Sequence, residues 1–168
     1  MPLSPWLPAL LGAVAIALGA QLTVPMLPVP MTLQTLAVIA AGLIGGPRVG
    51  ALAGGLYLAL VLLGLPVLAE GKSSGGLGFF SEPSAGYVLG FWVAAALAGW
   101  LAQRGLWWGL LGGLAGHAAV LAIGVAVLAF HLGFGDALKY GLWPFLPGAA
   151  VKSLAAWGIA LGVQQLRG

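Results

Sequence analysis

The chain has 168 residues, 61% of them hydrophobic and 5% charged, with a mean hydropathy of +1.10. A soluble domain carries about 25% charged residues, so six Lys and Arg plus three Asp and Glu exclude a water-facing surface and identify an integral membrane protein. The net charge of +3 comes from basic residues that stand singly, with no patch or aromatic interleaving, which excludes a nucleic-acid binder; without cysteine there is no disulfide framework, thiolate nucleophile or Cys-based metal site.

Pro, Gly and charge divide the sequence into six apolar segments, near 6–24, 33–46, 48–65, 84–103, 107–131 and 144–166, against the about 20 residues that a helical span requires. The expected fold is therefore all-α, with six transmembrane helices in a single domain over 1–168. The opening "MPLSPWLPALLGA" lacks the basic start of a cleaved signal peptide. Three prolines in "QLTVPMLPVPMTLQT" (21–35) make the first crossing stiff and prevent it from extending either helix. Thr32, Gln34 and Thr35 then bring polar groups to the mouth of the second span. "GGPR" (45–48) supplies a tight turn into the third. The long loop 66–83 is flexible at "SSGG" and offers Phe79 and Phe80 as apolar lid residues. Tyr87 and Trp92 follow on the fourth span, placed to line a pocket, although tryptophans also populate interfacial belts. In the fifth, Gly112 and Gly116 stand four apart, a spacing that lets helices approach closely.

With six spans both termini share a side. Arg48, Arg104 and Arg167 fall on that side with no acidic residue among them, whereas Glu70, Lys72, Glu82, Asp136 and Lys139 fall on the other. The positive-inside rule makes the arginine side, and both termini, cytoplasmic. Loops 25–32, 66–83 and 132–143 then face outward.

Several patterns resemble catalytic motifs. "GKS" at 71–73 suggests a phosphate loop, but Pro66 stands where that motif needs its first glycine, and the segment lies on the outer side, away from ATP. His131 and Asp136 span a helix end and a loop with no basic site beside them. His117 lies inside the fifth span without a neighbouring carboxylate, which favours a packed, hydrogen-bonded imidazole over a metal ligand. There is no H-E-x-x-H and no intramembrane pair of carboxylates, so an enzyme reading rests on His117 or on His131 and Asp136 alone.

Lys152, in "PFLPGAAVKSLAAWGIALG", is the one charge well inside a span. A charge at mid-helix costs about 2.5–3.5 kcal/mol on insertion scales. It follows Pro147 by five residues, about 7–8 Å of helix. Its four-carbon stem can snorkel to the outer interface, which would leave a structural membrane protein without a ligand. Otherwise the ammonium lies in a polar pocket open to the outside, where it meets an acceptor or a negative charge on something imported.

"AQLTVPMLPVPMTLQTLAVIAAGLIGGPRVGALAGGLYLALVLLGLPV", "GGLGFFSEPSAGYVLGF" and "GLWPFLPGAAVK" follow one another in order between Ala20 and Lys152. Through them it resembles the BioY family of biotin transporters, the substrate-capturing S components of energy-coupling-factor (ECF) importers. The resemblance implies a six-helix, multi-pass protein of the bacterial inner membrane that binds biotin from outside, capped by its outer loops. It implies a ligand site drawn from Lys152, Gln34, Thr32, Tyr87, Ser84, Phe79 and Trp92, with no metal and no cofactor. It further implies coupling to a transmembrane scaffold subunit through Ala9, Ala13 and Ala17, and to two ATPase subunits that use the ATP, this chain having no nucleotide site. A homo-oligomer stays open among its partners.

The chain departs from the family pattern at Ala149, where an Asp usually precedes the lysine by three residues, and in the lid at Glu82, Ser84 and Ala85. It has no Asn, so an amide contact has to come from Gln. Lys152 can serve either the ureido carbonyl of biotin or its carboxylate, and the missing Asp favours the carboxylate, which would compensate the charge. The alternatives are an S component for a different small carboxylate or vitamin, and a protein with a degenerate site.

Overall fold

A computed structural model describes residues 4–167. In chain order it contains α1 (Trp6–Gln21), β1 (Thr23–Val24), β2 (Met31–Thr32), α2 (Gln34–Leu62), α3 (Ala85–Ala102), α4 (Leu106–Leu132), α5 (Phe134–Gly141) and α6 (Leu146–Arg167). Single 3-10 turns lie at Ala69–Gly71, Gly76–Ser81 and Trp143–Phe145. Pro8 is accommodated in the first turn of α1, where backbone N–H groups have no helical partner to lose.

α2 is two helices joined by a break. Gly46 has φ 79° and ψ 177°, a conformation closed to residues with a Cβ, and Pro47 lacks the N–H that would carry the helix across. The arms, 34–45 and 47–62, fold back on each other. Gln34 on one bonds Tyr57 on the other, and a Cβ on Gly50 would lie 2.8 Å from the Cα of Gly42. The expected tight turn at "GGPR" is therefore present. The bundle has the six expected crossings: α1, the two arms of α2, α3, α4 and α6. Gly112 and Gly116 of α4 pack against the backbone of Ala98 and Ala94 of α3, so their spacing serves helix packing.

Two expectations are corrected. The loop 132–143 contains a helix, α5: Gly133, at φ 82°, turns the chain out of α4. α5 then buries Ala137 and Gly141, one turn apart, and exposes Asp136 and Lys139. The small-residue face of α1 does not point outward. Ala9 and Ala13 are fully buried and Ala17 partly so, because α1 packs that face onto α2 within the chain. Leu7, Leu11, Val14 and Leu18 form its exposed face instead.

Gly99 of α3 abuts Gly46 and Pro47, so Arg48 lies at the same end of the bundle as the α3–α4 turn and Arg104. The Arg104 guanidinium lies 3.8 Å from the ring centre of Trp100 and 5.5 Å from that of Trp108. The opposite end carries the β1–β2 ribbon, the 63–84 loop and α5. The ribbon pairs Thr23 with Thr32 and Val24 with Met31, which turns the proline-rich crossing into a hairpin folded over the helices. Between the two ends the bundle interior is apolar, centred on Ile16, Ile39, Val61, Val120 and Leu128, and its perimeter exposes Leu, Val and Trp side chains suited to lipid. Four stretches, Gln34–Leu62, Ala85–Ala102, Leu106–Leu132 and Phe134–Leu166, are long and apolar enough to cross a membrane; α1 is apolar but shorter, at 16 residues.

Candidate ligand-binding site

A cavity of about 280 Å³ opens at the end that carries the hairpin and the long loop. It is close to the lower end of the range for small-molecule sites, about 300–1,000 Å³. Each side of the bundle contributes to its wall. The hairpin supplies Pro28, Val29, Pro30 and Thr32, and α2 supplies Gln34 and Thr35. The 63–84 loop covers the mouth with Leu68, Ala69, Lys72–Ser74 and Glu82–Ser84. Tyr87, Val88 and Phe91 come from α3, His117, Val120 and Leu121 from α4, and Phe145, Ala149 and Lys152 from the start of α6.

The wall is held by hydrogen bonds, most of them between different elements. Thr32 donates its hydroxyl to the Gln34 Oε1 (2.9 Å), the Gln34 amide donates to the Tyr57 hydroxyl (2.6 Å), and Tyr57 donates to the Val67 carbonyl (2.9 Å). This relay ties the hairpin to both arms of α2 and to the first turn of the lid loop. Tyr57 is fully buried, so each of these groups would be orphaned by its neighbour's loss. On the other side Tyr87 donates to the Gly141 carbonyl (2.8 Å), joining α3 to α5, and its ring stacks on Phe145 at 5.9 Å. Gly124 of α4 leaves the space that ring fills; any Cβ there would collide with it.

Lys152 does not snorkel. It is 8% exposed, and its ammonium donates to the Thr32 carbonyl at 3.0 Å, across the cavity wall. It thereby anchors the hairpin while keeping two N–H groups for other acceptors. At the mouth Lys72 pairs with Glu70 at 2.9 Å, both side chains largely in solvent. The hydrogen bond that Lys72 donates to the Glu70 carboxylate raises the Lys72 pKa above the usual lysine value. Ser74 bonds Glu82 at 3.3 Å, bracing the two sides of the lid loop.

Of the residues expected at the site, Lys152, Gln34, Thr32, Tyr87 and Ser84 meet around the cavity. Phe79 and Trp92 do not. Phe79 is fully buried beneath the lid loop, edge-on to Phe80 at 5.6 Å, and supports the lid from behind. Trp92 is 57% exposed on the perimeter of α3. It follows Phe91 by one residue, which rotates it about 100° away from the cavity. His131 bonds the Val127 and Ser81 carbonyls, pinning the end of α4 to the lid loop, and has no bond to Asp136.

His117 is a cavity residue that sequence did not assign to the site, and Thr35, expected as a polar group at the mouth of the second span, also lines it. His117 was expected as a packed, hydrogen-bonded imidazole, and it is one, with Gly113 and Ser153 as partners. One of its nitrogens is nevertheless buried without a partner among the described residues, in a side chain that lines the cavity. The only sequence signal for this was an imidazole at mid-span. No group of three or more His, Asp or Glu suited to a metal occurs among the described residues.

The fold and the cavity define a class: a polytopic helical bundle with a lidded pocket of small-molecule size at one end. Comparison with known proteins narrows it. The BioY family profile matches residues 3–168. "Biotin transporter BioY" of Rhizobium etli is 36% identical over 164 residues, covering 89% of this chain and 87% of the relative. "Biotin transporter BioY" of Thermotoga maritima is 36% identical over 154 residues, covering 90% of each chain. A crystal structure of the S-component for biotin from an ECF-type ABC transporter superposes with a TM-score of 0.84 at 26% identity, covering 96% of this chain and 90% of that one. The chain belongs to the BioY family.

Proposed function

We propose that the chain is the biotin-capturing membrane subunit of an ECF-type importer. The observation that carries this reading is the lidded cavity with the Lys152 ammonium turned into its wall. An apolar body lined by Phe91, Val120, Leu121 and Phe145 suits a fused bicyclic ring, and a few convergent polar groups suit its ureido edge. The relatives named biotin transporters, alike over most of their length, support the same ligand.

In this reading the arginine end and both termini face the cytoplasm of a bacterial inner membrane and the cavity faces outward. The chain captures biotin and carries out no chemistry; ATP is used by two partner ATPases through a transmembrane scaffold. Ala9 and Ala13 are covered by α2, so a scaffold would meet the leucine-rich outer face of α1. Calorimetric titration of the purified chain with biotin, beside other small carboxylates of similar size, tests the ligand. Saturable binding of biotin alone is expected, and binding of another carboxylate in its place overturns the assignment. Uptake of labelled biotin that requires co-expressed scaffold and ATPases tests the coupling.

A further inference from the structure

His117 is 3% exposed and lines the cavity, yet its Nε2 has no hydrogen-bond partner among the described residues. Its Nδ1 has two, the Gly113 carbonyl at 3.1 Å and the Ser153 hydroxyl at 2.8 Å. These partners assign the tautomer. The carbonyl can only accept, and Ser153 gives its own proton to the Ala149 carbonyl at 2.8 Å, so its oxygen also accepts from the ring. Nδ1 therefore carries the proton, and Nε2 presents a bare lone pair. Buried polar atoms are nearly always paired; an imidazole held twice through one nitrogen and left open at the other, on a cavity wall, is an acceptor prepared for a donor that is not part of the chain.

Its neighbours specify that donor. Ser153, which orients the ring, follows Lys152, whose ammonium donates to the Thr32 carbonyl on the wall of the same cavity. At Ala149 the wall offers a methyl group in place of an acceptor side chain. Thr35 adds a second buried polar atom, its hydroxyl, without a partner among the described residues. We infer that His117 Nε2 accepts a ring N–H of the ligand while Lys152 donates to the adjacent carbonyl, so that the pair reads an –NH–C(=O)– edge. Resting on the biotin reading, this sets the ureido ring deep in the cavity and sends the acid chain toward Lys72 at the mouth. Lys152 then serves the carbonyl, and the carboxylate contact favoured from sequence moves to the rim.

The chain has two histidines, so ¹⁵N-histidine labelling gives four ring signals, two per residue, assigned with a His131→Gln variant. On saturation with biotin the Nε2 signal of His117 is expected to move as its lone pair engages. His117→Leu is expected to weaken biotin by about 2- to 12-fold, the loss of one neutral hydrogen bond, and His117→Gln, which returns an acceptor at that reach, to recover most of it. If biotin binds the unaltered chain and the His117 signal stays fixed, or His117→Leu binds as tightly, the acceptor role is overturned and the biotin reading stands. If the unaltered chain does not bind biotin, both fall. Should His117→Leu fail to fold, the signal in the unaltered chain decides.

Discussion

Replacing Lys152 by methionine keeps the length of the side chain and removes its charge and donors, and the apo and liganded proteins should respond differently. In the apo protein the variant loses one charge-assisted bond, the 3.0 Å contact to the Thr32 carbonyl, worth about 1.5–3 kcal/mol. It also removes a charge from inside a span, a relief of about 2.5–3.5 kcal/mol. The two offset each other to within about 1–2 kcal/mol, so the thermal midpoint in detergent should change little. With ligand there is no such offset: the bond from the ammonium is lost, and biotin affinity should fall by about 10- to 150-fold. Titration calorimetry on the variant and the unaltered chain measures the second effect, and thermal unfolding without biotin the first. Affinity within about threefold of the unaltered chain would show that Lys152 anchors the hairpin and nothing more. A collapse of apo stability would refute the offset.

Other perturbations follow from the same geometry. Tyr57→Phe leaves the Gln34 amide and the Val67 carbonyl without their shared partner, so it should lower stability by about 1–3 kcal/mol and speed biotin release, read by thermal unfolding and dissociation kinetics. Gly124→Ala puts a methyl group into the Tyr87 ring; overpacking of about 1–3 kcal/mol should lower both the thermal midpoint and biotin affinity, and an unchanged midpoint would contradict the packing. Gly46→Ala meets only the Gln103 amide at 3.4 Å, so its expected cost of about 1–3 kcal/mol is conformational. It should appear as reduced stability with biotin affinity retained, because the break lies at the end of the bundle away from the cavity.

The features legible in the sequence are those that depend on near neighbours. Too few charges to face water, apolar runs of spanning length, and Pro and Gly at the breaks are local constraints, and they specify six crossings and the hairpin at Gly46 and Pro47 before any packing is known. Lys152 was legible too, since a charge inside an apolar helix is conspicuous wherever the helix packs. Thr32, Gln34 and Tyr87 were legible as polar or aromatic groups at the ends of their spans.

Tertiary structure alone decided which polar groups are consumed and which stay open. Gln34 and Tyr57 are 23 residues apart, and Lys152 and Thr32 are 120 apart; whether a donor is satisfied depends on such pairs, which no local pattern encodes. Thus the side-chain polar atoms of Thr32, Gln34 and Tyr87 bond within the chain, while the buried Thr35 hydroxyl and His117 Nε2 have no partner among the described residues. The same long-range packing turned Trp92 outward, placed Phe79 behind the lid and closed Ala9 and Ala13 against α2. Residue types and spacing carry the span count and the anomalous lysine; the filling of each hydrogen bond, and of each helix face, waits on the partner that folding brings to it.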